Sequence, residues 1–223
     1  MNRLGRSHLL RGALVFSGAA LLTAATWTAF RYGFTSDGPE LPVLGTVPQF
    51  TLSASNGRPL SQRDLGGSIW IADFIFTRCG SICPTLSAHM AKIQTALARS
   101  GDTAVRLVSF SVDPKYDTPE VLQEYAARFH ADPQRWIFLT GERDPLYRLI
   151  GQGFRLAVAD RPESEDTDAG GLITHSDRFV LVDADLRIRG YYHGSDDESV
   201  QQLLRDVKKL SAVSNQLPER DPS

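Results

Sequence analysis

The chain has 223 residues, 42% hydrophobic and 22% charged, which excludes a disordered chain or a polytopic membrane protein and fits one domain of ordinary size. Its 24 basic and 26 acidic residues leave a net charge of −2, so there is no polyelectrolyte footprint for nucleic acid. Two cysteines are too few for a disulfide scaffold or a four-thiolate zinc site. The small net charge averages two unlike parts. Residues 1–36 carry Arg3, Arg6, Arg11 and Arg31 and no acid, so the remainder holds 20 basic against 26 acidic residues, or −6.

From Gly12 to Phe30 the chain runs 19 residues without a charge, roughly 28 Å as a helix, close to the thickness of a hydrocarbon core. Arg3, Arg6 and Arg11 precede it, so the positive-inside rule predicts a cytoplasmic segment 1–11, a membrane span over 12–31 and an exported remainder. Trp27 and Tyr32 fall where an interfacial aromatic belt would lie. The rival reading is a cleaved signal peptide, with small residues around Thr23-Ala24-Ala25. Both place the domain outside the cytoplasm, where thiols tend to oxidise.

Residues 32–48, rich in proline and glycine, read as a linker. A short strand QFTLS and a turn at Asn56-Gly57 follow. Ile69–Phe76 and Val105–Val112 are continuous apolar runs that suit central parallel strands. The helix between them is expected from Pro84 to about Arg99. Next come a helix from Pro119 capped by Thr118, a strand Trp136–Thr140, and a helix from Pro145 capped by Asp144. FRLAVA (154–159) reads as a strand leading to an acidic hairpin loop, Arg161–Gly171. Two further strands, RFVLVD and RIRGYYH, meet at Ala184-Asp185, and a last helix spans about Glu198–Leu210. This order predicts one α/β domain over 49–212, a central mixed sheet flanked by helices, with a disordered tail at 213–223.

Both cysteines lie in FTRCGSICPTLSAHM, between a buried strand and a helix. Strand ends of open α/β folds collect ligands, and a helix N-terminus favours a thiolate over a thiol. Cys79 and Cys83, four apart, can face one point, for a disulfide or for a shared soft metal such as copper(I); a static staple is the bland alternative. A third, nitrogen ligand must come from elsewhere. His8 precedes the span. His89 is rotated away on the cysteine helix, and Met90 lies about 10 Å down its axis. His130 ends a helix, a common place for a dipole partner. His175, in a loop before a strand, and His193, at a strand end, remain.

The strings IWIADFIFTRCGSICPTLSAHM, SFSVDPKYDTPEVLQEYA and THSDRFVLVDAD strongly resemble the Sco/SenC family of membrane-anchored, thioredoxin-like copper proteins, from about Phe50 to Leu210. The resemblance implies a thioredoxin-like fold and one copper ion held by Cys79, Cys83 and His175. It also implies delivery of copper to the dinuclear site of cytochrome c oxidase subunit II, or reduction of that subunit's cysteines, at the periplasmic face of the inner membrane with a thioredoxin-like reductant. Asp177 is a candidate to orient His175, and Asp113 of the SVDP motif is expected to turn the chain. Many relatives place proline after the first cysteine and an acid between the two, whereas this chain has Gly80-Ser81-Ile82 with Arg78 before it. The acidic run Glu163–Asp168 reads either as a docking patch or as a solvated hairpin. Two rivals remain. A periplasmic thiol–disulfide oxidoreductase would need the cysteines but no histidine. A peroxiredoxin-like peroxidase fits poorly without a distant resolving cysteine.

Overall fold

The computed structural model describes residues 40–156 and 177–214; the compact unit they build begins at Leu41. The expected span at 12–31, the acidic loop, His175 and the tail from 215 lie outside the described residues. Among those described, no helix is long and apolar enough to cross a membrane.

The strands are β1 (Gly45–Thr46), β2 (Thr51–Ala54), β3 (Pro59–Ser61), β4 (Trp70–Ile75), β5 (Arg106–Ser111), β6 (Trp136–Thr140), β7 (Arg178–Val182) and β8 (Arg187–His193). The helices are α1 (Ile82–Arg99), α2 (Pro119–Arg128), α3 (Arg143–Arg148), which continues into a π-helical turn at Leu149–Gly153, and α4 (Asp197–Ser214). The strands form one sheet in the order β1-β8-β7-β4-β5-β6-β2-β3. The centre, β4-β5-β6, is parallel. β7 and β8 add antiparallel on one side, β2 and β3 on the other.

Side chains alternate across the sheet and define two cores. Ile71 and Ile75 of β4 face α1, α2 and α4 and join Leu86, Met90, Phe138, Phe179 and Leu203. Trp70, Ala72 and Phe74 face the other way, onto Phe110, Leu146, Ile150 and Phe154. With both faces covered, every residue of β4 is buried, which is why the strand reads as an unbroken apolar run. Its one polar member is the fully buried Asp73.

Several boundaries differ from expectation for local reasons. Helix α1 begins at Ile82, so Cys83 lies in its first turn and Pro84 is third. Proline is tolerated there because N–H groups of a first turn have no intrahelical acceptor. Helix α3 likewise starts at Arg143, with Glu142 rather than Asp144 as its N-cap. Thr118 does cap α2, its hydroxyl accepting from the Val121 N–H at 3.4 Å. FRLAVA is not a strand over its described residues 154–156. Phe154 ends the π turn and wedges against Trp70, Phe74 and Phe110, with ring centroids 5.1–6.1 Å apart, and Arg155 takes a positive φ of 53°. The stretch expected as linker contributes β1 and the buried Val47. Buried Arg189 holds its start, donating to the carbonyls of Leu41 and Pro42 and to Asp183 at 2.8 Å.

Phe154 is fully buried among three aromatic rings. Phe154→Ala should therefore cost about 3–5 kcal/mol, read as a lowered urea midpoint with an unchanged slope; a loss below about 1 kcal/mol would mean that the site collapses freely.

Candidate functional site

Strand β4 delivers the chain to the C-terminal edge of the sheet, and α1 starts after six intervening residues. Within that turn the Cys79 N–H donates to the Phe76 carbonyl at 3.1 Å. The Cys79 sulfur accepts from the Cys83 N–H at 3.5 Å and lies 3.6 Å from the Ser81 hydroxyl. It thus takes up one of the partnerless N–H groups that open α1. Both cysteines are buried free thiols, and they are unlike. At Cys79 burial raises the pKa, but hydrogen bonds from the Cys83 and Ser81 backbones and side chains outweigh it, and the thiol ends below its ordinary value. At Cys83 burial dominates, and the neighbouring Cys79 and Asp73 add like-charge repulsion, so its thiol is pushed far above the ordinary range. The first cysteine is the better nucleophile and the second holds its proton.

A bracket of two carboxylates braces the turn. β4 and β5 are parallel and in register from Trp70↔Arg106 to Ile75↔Ser111, so the loops that follow them emerge side by side. Asp117, fully buried, accepts from the Thr77 hydroxyl at 2.5 Å, the Thr77 N–H at 3.2 Å and the Ser111 hydroxyl at 2.6 Å. Asp113 pairs with Arg78 at 2.7 Å, and the Arg78 guanidinium lies 4.3 Å from the centre of the Tyr116 ring. Asp113 does turn the chain, its carbonyl accepting from the Tyr116 and Asp117 N–H groups, but its carboxylate has this second task. The roles of Thr77, Arg78 and Asp117 escaped the sequence reading. The signal was available: SVDPKYDTP places two acids four apart after a strand parallel to the cysteine strand.

The histidines sort clearly. His89 turns away from the thiols to the start of α4, its Nδ1 2.5 Å from the Gly194 carbonyl and its Nε2 3.2 Å from Asp197. Gly194 is required there, because a Cβ would come within 2.8 Å of Phe179 and Leu86. Met90 is buried in the core. His130 sits beyond the end of α2 at φ 53°, taking the left-handed position in which its N–H and that of Ala131 close on the carbonyls of Ala127 and Ala126. His193 pairs with Asp177 at 2.9 Å. Burial raises the Asp177 carboxyl, but hydrogen bonds from His193 and Ser195 bring it below its ordinary value. The described partners of Asp177 are therefore His193, Ser195 and Arg178. His175 lies outside the described residues, and among the described ones no group of three metal-binding side chains forms.

Asp73 stands behind the pair. It is fully buried on β4, on the same face as Cys79 and Cys83, and neither carboxylate oxygen meets a hydrogen-bond partner among the described residues. Burial raises its pKa from 3.8 to about 7, against a lowering influence from Ser109, its neighbour across β5.

A mixed sheet with a CxxxC pair between its central strand and the helix that follows, braced by an adjacent loop, defines a thioredoxin-like thiol protein. The model of the SCO1/SenC family matches residues 42–212, and the chain belongs to that family. It is 34% identical over 173 residues to the SCO1 protein homolog of Bacillus subtilis, spanning 77% of this chain and 86% of that one. It is 32% identical over 179 residues to a putative copper-binding protein of Stutzerimonas stutzeri, spanning 80% and 78%. Among solved structures, a SCO1/SenC family lipoprotein of Bacillus anthracis is similar with a TM-score of 0.69, 33% identity and coverage of 76% and 97%. BsSco, a Sco-family cytochrome c oxidase assembly protein with a disulfide switch, gives a TM-score of 0.68, 32% identity and coverage of 78% and 98%.

The Asp73 carboxyl has a testable sign. Its folded pKa is raised, so the folded state binds the extra proton and stability falls as pH rises from about 4 to about 7. With the shift from 3.8 to about 7, wild type should lose on the order of 4 kcal/mol relative to Asp73→Asn across that window. Urea unfolding of both proteins at stepped pH checks this, and parallel curves would show an ordinary carboxyl.

Proposed function

We propose that this chain is a copper-binding assembly protein for cytochrome c oxidase. In this reading copper is its cargo, held by Cys79, Cys83 and His175 and passed to the dinuclear copper site of oxidase subunit II. The observation that carries it is the pair itself: two free sulfurs at one helix N-terminus, the first with its thiol brought below the ordinary value by the hydrogen bonds of that helix end. Two thiolates and one imidazole form a donor set that accepts copper in either oxidation state. The copper-binding name of the Stutzerimonas relative and the oxidase-assembly role named for BsSco support the same reading.

On this account the loop residues do the local work. Asp117 and the Asp113–Arg78 pair hold residues 77–78 still, so that Cys79 keeps its place beside the first turn of α1. The thiols must be reduced to take the ion, and handover proceeds by ligand exchange with acceptor thiols that are also reduced. A membrane span over 12–31 would tether the domain to the inner membrane with its site in the periplasm, where a thioredoxin-like reductant restores the pair.

A second reading, thiol–disulfide exchange on the cysteines of subunit II, is favoured by the unlike thiols, one activated and one protected. The two readings differ in their need for His175. Full-length wild type, Cys79→Ser, Cys83→Ser and His175→Ala, reduced, should be titrated with copper(I) in competition with a chelator. Each substitution should weaken binding beyond the roughly 10–100-fold that loss of an outer partner costs. Wild type binding no more tightly than the variants would sink the copper reading. A His175→Ala protein that still reduces a subunit II peptide disulfide at the wild-type rate would then leave the second.

A further inference from the structure

Beside Cys79 the protein displays an aromatic ring and two cations to solvent. Among the described residues the large exposed apolar side chains are Val43, Leu44 and Tyr116. Val43 and Leu44 lie by β1, against Ile188 at the opposite edge of the sheet; Tyr116, 46% exposed, lies at the edge where the thiols are. Its backbone is fixed on both sides: the N–H donates to the Asp113 carbonyl at 3.1 Å and the carbonyl accepts from the Thr118 N–H at 2.9 Å. A partner therefore has little ordering left to impose there. The ring backs Arg78, whose guanidinium carries five N–H donors. One of its nitrogens meets Asp113 at 2.7 Å, and the others meet no acceptor among the described residues. Lys115, between Asp113 and Tyr116, is exposed and makes no ion pair among them.

The charge of this rim runs against that of the domain. Beyond residue 36 the chain holds 20 basic and 26 acidic residues, yet the acids of the turns flanking Cys79 are engaged. Asp117 is buried under Thr77 and Ser111, and Glu120 is held by the Thr118 side chain. Asp177, on the other side of β4, binds His193 and Ser195. Asp113 offsets one cation, which leaves Lys115 and the positive end of α1 uncompensated. Residues 78–82 add a cation and no acid.

We propose that Arg78, Lys115 and Tyr116 form a docking surface for an acidic segment of the thiol partner, one with carboxylates flanking the cysteine that Cys79 meets. The inference rests on the reading of Cys79 as the sulfur that a partner meets first. The three side chains divide the task by their chemistry. The free N–H groups of Arg78 suit a planar carboxylate. Lys115 supplies a point charge that speeds and orients the encounter. The fixed ring of Tyr116 gives the segment a rigid apolar contact, as aromatic anchors of interfaces do. Because Arg78 directly precedes Cys79, a carboxylate on it sets a neighbouring partner cysteine at the first sulfur.

The test uses two peptides, each with a single cysteine held as a mixed disulfide with thionitrobenzoate, flanked by aspartates in one and by asparagines in the other. The Cys79 thiolate attacks the peptide sulfur, the protein–peptide disulfide forms, and the thionitrobenzoate anion leaves as the chromophore. Full-length wild type, Lys115→Glu, Tyr116→Ala and Arg78→Gln, all reduced, are compared by stopped flow. Each peptide rate is normalised to that peptide's rate with mercaptoethanol, and each protein is also mixed with the small neutral disulfide dithiodipyridine. Wild type should prefer the aspartate peptide at least about tenfold at low salt, and the preference should shrink as salt screens it. Each substitution should reduce that preference, and Lys115→Glu should abolish it. No preference in wild type, or a preference surviving in Lys115→Glu or Tyr116→Ala, would overturn the docking surface alone. Variants that slow with both peptides and dithiodipyridine by the same factor would also overturn it, since these residues would then only hold the turn. A wild type that reacts with none of the probes would overturn the reading of Cys79 together with the docking surface.

Discussion

The buried carboxylate of Asp117 sits where two parallel strands end side by side, and the cysteine turn is built around it. β4 and β5 run in register to Ile75↔Ser111, so the loop after β5 is within reach of the loop after β4. Asp117 uses that nearness to bind the Thr77 backbone and hydroxyl as well as the Ser111 hydroxyl. Burial raises its pKa, and the Ser111 and Thr77 hydrogen bonds work the other way. Asp113 and Arg78 extend the bracket one residue closer to Cys79, with the Tyr116 ring against the guanidinium. Chain direction in the sheet is therefore the cause, and placement of the first sulfur is the result.

Once the turn is held, the two thiols acquire different chemistry from the same helix end. Cys79 lies just outside α1 and receives its N–H groups; Cys83 lies inside the first turn and faces the core. A single helix N-terminus thus activates one sulfur while burial keeps the other protonated. This division suits stepwise chemistry, in which one sulfur meets the partner and the other answers later. It suits metal exchange as well, because ligands that engage one after another avoid a free ion.

The rest of the fold keeps this end rigid and locates the other one. His89, on the same helix as Cys83, is tied to Gly194 and Asp197, which fixes α1 against the start of α4. Arg189 sits in the irregularity between β7 and β8 and donates to the carbonyls of residues 41 and 42. The chain that comes from the N-terminal segment is thereby fastened to an outer part of the sheet rather than to the cysteine turn.

Much of this was legible in the sequence. Continuous apolar runs marked β4 and β5 because a strand covered on both faces has no solvent side to alternate with. Thr118-Pro119 marked α2 because capping is local chemistry, and the CxxxC spacing marked the site. What stayed hidden depends on distant partners. Helices α1 and α3 each begin two residues before their prolines, since only the end of the helix hydrogen-bond ladder, not propensity, decides where proline fits. Residues 154–156 have an apolar pattern that suits a strand, yet Phe154 is spent filling the aromatic core. The sequence reads His130 as a dipole partner at a helix end and leaves His193 open as a ligand, whereas backbone φ in one case and Asp177 in the other fix their roles. The sequence by itself determined the fold class and the two sulfurs, because periodicity, capping and spacing are written in neighbouring residues. Tertiary structure alone decided that Asp117 braces the turn, that the thiols differ, and that Asp73 is buried with no hydrogen-bond partner among the described residues, because hydrogen bonding, burial and charge depend on groups far apart in the chain.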